Sequence, residues 1–478
     1  MADSNTRRVV TLAPMPPEKC AYALARYSRS PDSIYDSVRW VRAHDSRRFL
    51  ESFYFQYGHA SIADLGHVAL SFEGISELAA IEIEDEQLWD GQAKSSRYQD
   101  FSKSGFVTPP EFTPEEAERY SHVATALIES YQIIHQAVWR HLQEKMPRPS
   151  GMKPEAYERN LKARAFDVAR YLLFLGVPTN VGQVTSIRTL ERQIRRLKAS
   201  EFLELRQLGE EAAQACADPP RCAWDPGAPQ EAVAPTLAKY VGEDEYLRQL
   251  RIDLKQWASQ NLPPPVQMET PAVDLLAPTD RTADIVATLL YPATDRPYRE
   301  LYEMALSWSE ARRREVLEVA TRCRGRGDEL PRAFRNAPYV FDIVMDIGAY
   351  RDLHRHRRCQ QFRQDYTFRL GYETPEAVRE AGVALTFETA MQQALEAAQR
   401  LPQPAAQYLL PFGSRSRFLF KMDFAELEYI AKLRSGVKGH FSYRRIAWEL
   451  KQALERLDPE LGRLIQATPP WVEDPLER

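Results

Sequence analysis

The densest run of chemistry-bearing side chains is Arg351-Asp352-Leu353-His354-Arg355-His356-Arg357-Arg358, continuing to Arg363 and Arg369. Concentrated positive charge needs an anionic partner or nearby carboxylates to offset its self-repulsion, and planar guanidinium groups match phosphate oxygens. A dinucleotide pyrophosphate or a nucleic-acid backbone would each serve as that partner. The competing reading is a solvated helix face paired with Asp346, Asp352 and Asp365. A second polar cluster runs from Gly58-His59-Ala60-Ser61 to Ser95-Ser96-Arg97-Tyr98. Hydroxyls beside an arginine make a phosphate cradle; alternatively Arg97 snorkels from a helix and the serines cap a turn.

These clusters sit in a chain that repeats itself. Leu12-Ala13-Pro14 and Tyr27 recur as Leu276-Ala277-Pro278 and Tyr291, 264 residues later. Tyr171-Leu172-Leu173-Phe174-Leu175-Gly176 recurs as Tyr408-Leu409-Leu410-Pro411-Phe412-Gly413, and Leu190-Glu191 as Leu427-Glu428, both at an offset of 237. The landmarks keep their order, as a duplication requires. Breaker residues at Asp218-Pro219-Pro220, Asp225-Pro226-Gly227 and Leu262-Pro263-Pro264-Pro265 place the join near 265, with a helix over 243–260 bridging or packing beside it. Thr113-Pro114-Glu115-Glu116 is a capping box ahead of a long amphipathic helix. Further helices are expected over 154–170, 185–216, 386–400 and 443–457, and strands at 68–72 and 339–344. The fold class is α+β.

Composition narrows the function. At 478 residues the chain exceeds one ordinary domain. Sixty-three Lys and Arg stand against 67 Asp and Glu, so no global charge favours nucleic acid or an acidic membrane. The cysteines Cys20, Cys216, Cys222, Cys323 and Cys359 form no Cys-x-x-Cys pair, which gives a reduced, cytoplasmic protein with no metal site. No apolar run is long enough to span a bilayer. Cys359 is the thiol whose basic neighbours would lower its pKa.

Gly58-His59-Ala60-Ser61, Phe72-Glu73-Gly74-Ile75-Ser76 and Ser95-Ser96-Arg97-Tyr98 resemble, in order, the flavin-dependent thymidylate synthases, whose signature joins Arg-His-Arg to a downstream Ser-x-Arg-Tyr. Arg355-His356-Arg357 resembles the front of that signature, and the helix ending in Arg434 resembles the family's late block. The resemblance implies two tandem copies of an α/β unit with a mixed or antiparallel sheet flanked by long helices, a pseudo-dimer within one chain. The N-terminal copy, 1–265, keeps Ser-x-Arg-Tyr; the C-terminal copy, 266–478, keeps Arg-His-Arg. By the same resemblance, Arg355, His356 and Arg357 bind FAD, while Ser95, Ser96, Arg97 and Arg434 bind dUMP or a related nucleotide. No catalytic side chain is named.

Each copy lacks what the other keeps. At an offset of 270, Asp85, Glu86 and Gln87 stand where Arg355, His356 and Arg357 stand, and Asp365, Thr367 and Phe368 where Ser95, Arg97 and Tyr98 stand. A composite site is the consequence, in which Arg355-His356-Arg357 meets Ser95 and Arg97. The implied activity is reductive methylation of dUMP to dTMP, with methylenetetrahydrofolate and NADPH as cosubstrates. A flavin enzyme on another nucleotide, or a non-catalytic flavin- or nucleotide-binding paralogue, are the alternatives. The expected assembly is a homodimer forming a pseudo-tetramer, without nucleic acid or membrane partners.

Overall fold

The computed structural model describes residues 14–28, 30, 33–44, 60–221, 225–228, 230–238, 241–264, 270–325, 328–474 and 476. The expected join at 265, together with Leu12, Ala13, Gly58, His59 and Cys222, lies outside them. The fold is mixed helix and sheet, as expected. Two small sheets carry it, one ordered β1-β3-β2 and the other β4-β5-β7-β6. Their strands are β1 (His67–Ser76), β2 (Asp90–Ala93), β3 (Pro178–Ser186), β4 (Val273–Leu276), β5 (Tyr339–Asp346), β6 (Gln360–Arg363) and β7 (Arg415–Met422).

One capping device recurs at four strand-to-helix junctions. Ser76, Ser186, Asp346 and Asp423 each end or follow a strand in extended backbone. Each turns its side chain onto the amide three residues on: Ala79, Thr189, Ala349 and Glu426, at 2.7–3.2 Å. A short oxygen-bearing side chain at this position satisfies an amide that the first helical turn leaves without a partner. The helices so started are α3 (Glu77–Glu84), α6 (Ile187–Lys198), α12 (Ile347–Leu353) and α14 (Phe424–Arg434). Ser76 and Asp346 are 270 residues apart, Ser186 and Asp423 are 237 apart, and β2 and β6 also match at 270.

The Cα positions group into two compact units that interleave along the sequence. One comprises residues 1–73, 86–93 and 180–245; the other comprises 74–85, 94–179 and 246–478. The first holds α1 (Pro17–Tyr27), α2 (Ile34–Ala43), β2, most of β1 and β3, α6 and α7 (Leu203–Ala217). β2 runs antiparallel to β3, from Asp90 opposite Val184 to Ala93 opposite Val181. Helix α6 turns Ile187, Leu190, Ile194 and Leu197 inward at three- and four-residue steps. The single helix expected over 185–216 is corrected here: Thr185 and Ser186 finish β3, and α6 and α7 are separate. Ser200 explains the break, because its hydroxyl accepts from the Phe202 amide at 3.2 Å and competes with helical bonding.

The second unit holds the fully antiparallel four-stranded sheet. β5, one of its two inner strands, is buried along nearly its whole length, so its burial is continuous rather than alternating, and it takes Asp342 inside, paired with Arg417. Helices α9 (Arg281–Leu290), α10 (Tyr298–Ser307) and α11 (Glu310–Thr321), with α8 (Glu245–Asn261), supply most of one apolar cluster of this unit. The long helix expected behind Thr113 is α4 (Pro114–Lys145); its capping box forms with Glu116, and Tyr120, Ala124, Leu127, Tyr131, Ile134 and Val138 make its buried stripe. Helix α5 (Pro154–Ala169) and α13 (Ala384–Arg400) pack on α4. Helix α15 (Phe441–Leu457) packs on α14.

Inside this unit the two repeated segments pair with each other. Phe174 bridges Pro411 in antiparallel fashion. Gly176 donates its amide to Tyr408 at 2.7 Å and Gly413 donates to Tyr171 at 2.9 Å; Leu175 donates to Leu410 at 3.1 Å and Phe412 to Leu173 at 2.6 Å. Each bond has its counterpart 237 residues away, the reciprocal pattern of a two-fold contact. The neighbouring helices follow suit. Glu77 and Leu78 donate amides to Val177 and Leu175, while Ile347 and Gly348 donate to Ser414 and Phe412, all at 3.0 Å.

Candidate functional site

Helix α12 is short and ends at Leu353, so the basic run is split between a helix and the turn that enters β6. Arg351, on the helix, is buried. Its Nη1 donates to Ser96 Oγ at 3.0 Å and its Nη2 lies 2.7 Å from Glu77 Oε2. Ser96 belongs to the Ser95-Ser96-Arg97 segment, and Glu77 opens α3. One guanidinium therefore joins both clusters singled out in the sequence, within the second unit.

Asp352 sits at the centre of the charge. It accepts from Arg170 Nη2 at 3.0 Å, and Arg170 is itself almost fully buried. Burial alone would raise the Asp352 carboxyl, but Arg170, Arg97, Arg355 and Arg351 together bring it down to about 2. Arg97 forms a two-pronged pair with Asp167, Nε to Oδ1 at 2.8 Å and Nη2 to Oδ2 at 3.2 Å, and also donates to Tyr443 Oη and the Lys438 carbonyl, each at 2.9 Å. Burial disfavours its charge, and the Asp167 carboxylate outweighs that and holds Arg97 above its ordinary pKa. Ser95 Oγ accepts from the Arg97 amide at 3.3 Å, a local turn contact.

Glu77 differs from the other carboxylates. It is completely buried, and neither of its oxygens accepts a hydrogen bond. The Arg351 contact is close but not aligned for one. Burial pushes Glu77 up to about 7 against the pull of Arg351; Glu84 adds to the rise, while Arg355 and Lys94 oppose it.

The Arg-His-Arg triplet divides its labour. His356 is buried, and its Nε2 accepts from Arg434 Nε at 2.7 Å, which assigns the ring proton to Nδ1, facing Glu426 at 3.6 Å. Burial lowers the pKa of His356 and keeps the ring neutral. His356 and Arg434 thus meet each other. Arg355 is half-buried and, among the described residues, makes no side-chain hydrogen bond or ion pair, while its charge acts on Glu77 and Asp352. Cys359 corrects an expectation: burial, with Glu426 nearby, pushes its thiol well up, because desolvation outweighs the basic neighbours. Cys20, Cys216, Cys323 and Cys359 are free thiols.

The acidic residues Asp85 and Glu86 are engaged differently. Asp85 receives both Nη groups of Arg332 at 2.8 and 2.9 Å, and Glu82 pairs with Arg363. Glu86 accepts from Arg196 Nε at 3.0 Å. A cavity of about 330 Å³ lies at the other end of α12, lined by Tyr171, Asp346, Arg415, Ser442 and Arg445 among others. Its two arginines share Glu373, and with Asp346 and Glu449 also lining it the cavity has no excess positive charge. The arginine cluster beside Arg355 is therefore the stronger candidate for an anion.

The model of the thymidylate synthase complementing protein family, Thy1, matches residues 9–218 and again 277–460. The chain belongs to this family. Among relatives of this chain are UPF0159 proteins of Chlamydia muridarum, 27% identical over 86% of this chain and 78% of that protein, and of Chlamydia pneumoniae, 27% identical over 90% and 81%. A UPF0159 protein of Thermoplasma acidophilum is 22% identical over 93% of this chain and 94% of its own length. Two solved structures of the flavin-dependent thymidylate synthase ThyX from Helicobacter pylori, with FAD and dUMP, are 14% and 15% identical. They cover 42% of this chain and 89% and 88% of theirs, each with a TM-score of 0.27.

The sequence pointed to Ser95, Ser96, Arg97, Arg355, His356, Arg357 and Arg434, and all seven lie in the second unit. It passed over Glu77, Asp167, Arg170, Asp352 and Tyr443 as site residues. For Glu77 a local signal existed: a carboxylate directly after a Ser cap leads straight into the apolar Leu78-Ala79-Ala80-Ile81, although α3 also carries Glu82 and Glu84. Asp167 and Arg170 carry no such local signal.

Proposed function

We propose that the chain is a flavin-dependent thymidylate synthase-like enzyme: it binds FAD and dUMP and makes dTMP by reductive methylation, with methylenetetrahydrofolate and NADPH as cosubstrates. One site per chain is composed from two diverged copies, 1–265 and 266–478. The observation that carries the reading is the Arg351–Ser96 hydrogen bond, which ties the hydroxyl segment of one copy to the arginine helix of the other. The reciprocal bonds about Phe174 and Pro411 and the two-part family match support the duplication.

The residues present fit a phosphorylated group. Arg97, Arg170, Arg351 and Arg355 outnumber Asp352, Asp167 and Glu77, Lys94 adds a cation, and Arg355 has no protein partner among the described residues. Arg355 and Arg357 would hold the flavin phosphates; when bound, the flavin supplies the reducing equivalents. His356 acts beneath them, holding Arg434 toward the nucleotide. Ser95 and Ser96 offer hydroxyls to the nucleotide phosphate, and Asp352 keeps the guanidiniums apart and oriented. Asp85 and Glu86, already engaged with arginines, would repel phosphate from the counterpart positions.

One observation favours a second reading. Arg97 is already paired with Asp167, so it offers a nucleotide phosphate less than an open guanidinium would. A flavin enzyme acting on a different nucleotide would need less from Arg97. Purified protein should be yellow and oxidise reduced flavin in a dUMP-dependent manner, and its gene should restore growth of a thymidine-requiring host. A colourless protein that takes up no flavin would end both readings; a yellow one that fails the growth test leaves only the second.

A further inference from the structure

Glu77 plays no part in the chemistry proposed above, yet it is the most costly side chain in the site. It is a carboxylate with no exposed surface and no hydrogen bond to either oxygen, and its ionised form is supported by Arg351 at 2.7 Å and by the fields of Arg355 and Lys94. Glu84, on the same helix α3, works against its ionisation. Arg351 in turn commits its other nitrogen to Ser96.

We propose that anion binding at this site is coupled to protonation of the Glu77 carboxylate from solvent. The inference rests on reading the arginine cluster as an anion site. An oxyanion docked on Arg355 shares the positive field that Glu77 depends on and brings a second negative charge close to it. A buried carboxylate losing its counter-charge neutralises itself rather than staying ionised. Glu77 and Asp352 both feel the Arg351 and Arg355 charges, and their environments decide which one yields. Asp352 is held by four guanidiniums down to about 2, far from protonation, whereas Glu77 stands at about 7 and is already half way. The proton adds to a Glu77 oxygen, no other bond is made or broken, and Arg351 keeps its bond to Ser96 while its Nη2 is released from an ion pair. Glu77 is thus a positioning residue that tunes Arg351, not a catalytic one.

Calorimetric titration of the full chain with inorganic sulfate, which does not itself titrate near pH 7, tests this when run in two buffers of different ionisation enthalpy. Wild type should take up a fraction of a proton per sulfate at pH 7, and its sulfate affinity should fall several-fold between pH 6 and pH 8. Glu77→Gln should bind sulfate at least as tightly, with no proton uptake and a flat pH profile; Glu77→Asp should restore both. Equal uptake by wild type and Glu77→Gln, sulfate binding without uptake in wild type, or no sulfate binding at all would each overturn the proposal. A parallel titration with dUMP separates the two readings: sulfate binding with uptake but no dUMP binding would sink the nucleotide assignment and leave the proton coupling standing.

Discussion

At the scale of single residues, Asp352, Glu77 and Arg355 are three parts of one electrostatic arrangement with opposite consequences when changed. Asp352 balances Arg170, which is 1% exposed, so Asp352→Asn strands a buried guanidinium and should destabilise the chain by about 3–5 kcal/mol at pH 7. Its depressed pKa means that its stabilising contribution is complete above the unfolded value of 3.8 and is lost as pH falls through about 2. Glu77 has the reverse sign. Its raised pKa gives a contribution that is complete below 4.5 and lost as pH rises through about 7. Glu77→Gln keeps a neutral group at every pH, so its advantage in thermal unfolding over wild type should widen between pH 5 and pH 8, by up to about 3 kcal/mol. A constant difference across that range would contradict the account. Arg355, with no protein partner among the described residues, should behave as a binding residue. Arg355→Ala is expected to weaken sulfate or nucleotide binding roughly 10- to 100-fold in titrations, the loss of one or two charge-assisted hydrogen bonds.

At the scale of elements, the repeated apolar segments are pinned by glycine at the points of closest approach. A Cβ on Gly176 would collide with the Tyr120 hydroxyl, which is itself bonded to the Val107 carbonyl and cannot move aside cheaply. At Gly413 the nearest atoms are the Tyr171 Cβ and ring at 3.2 Å, a tight but less severe contact. Gly176→Ala should therefore cost about 2–3 kcal/mol in denaturant unfolding, and clearly more than Gly413→Ala. Equal costs would mean that the two sides of the reciprocal pairing are packed alike, against the observed environments. The caps at Ser76 and Asp346 matter for the same reason. They aim α3 and α12, and through those helices Glu77 and Arg351, at each other.

At the scale of the whole molecule, a single composite site per chain makes a quantitative claim. Nucleotide and flavin should each saturate at one per chain, where two intact copies would give two. Arg97→Ala and Arg355→Ala should each abolish nucleotide-dependent flavin oxidation, and mixing the two variants should not restore it, because both residues belong to one compact unit of one chain. Restoration on mixing would place the site between chains. Light scattering should find two chains, the pseudo-tetramer that the family resemblance implies; a stable monomer would remove that expectation. No helix among the described residues is long and apolar enough to cross a membrane.

The local grammar was legible in the amino-acid order. The Thr113 capping box, the apolar stripe of α4, the strands at β1 and β5 and the helix before the breaker residues near 265 all follow from short-range rules of periodicity and capping, and the offsets of 237 and 270 are recurrences visible in the sequence itself. So did the residues Ser96, Arg97, Arg355 and Arg434, whose types announce anion chemistry. Their partners were not legible. Arg351 meets Ser96 across 255 residues of sequence, Arg97 meets Tyr443 across 346, and Asp167 and Arg170 come from a helix and turn that carry no motif. Which arginine stays open and which is consumed, and which carboxylate is crushed to about 2 or lifted to about 7, depend on burial and on the sum of charges within a few ångströms. Those quantities exist only once the chain has folded, because desolvation and Coulomb interaction are set by distances in space and not by spacing along the sequence.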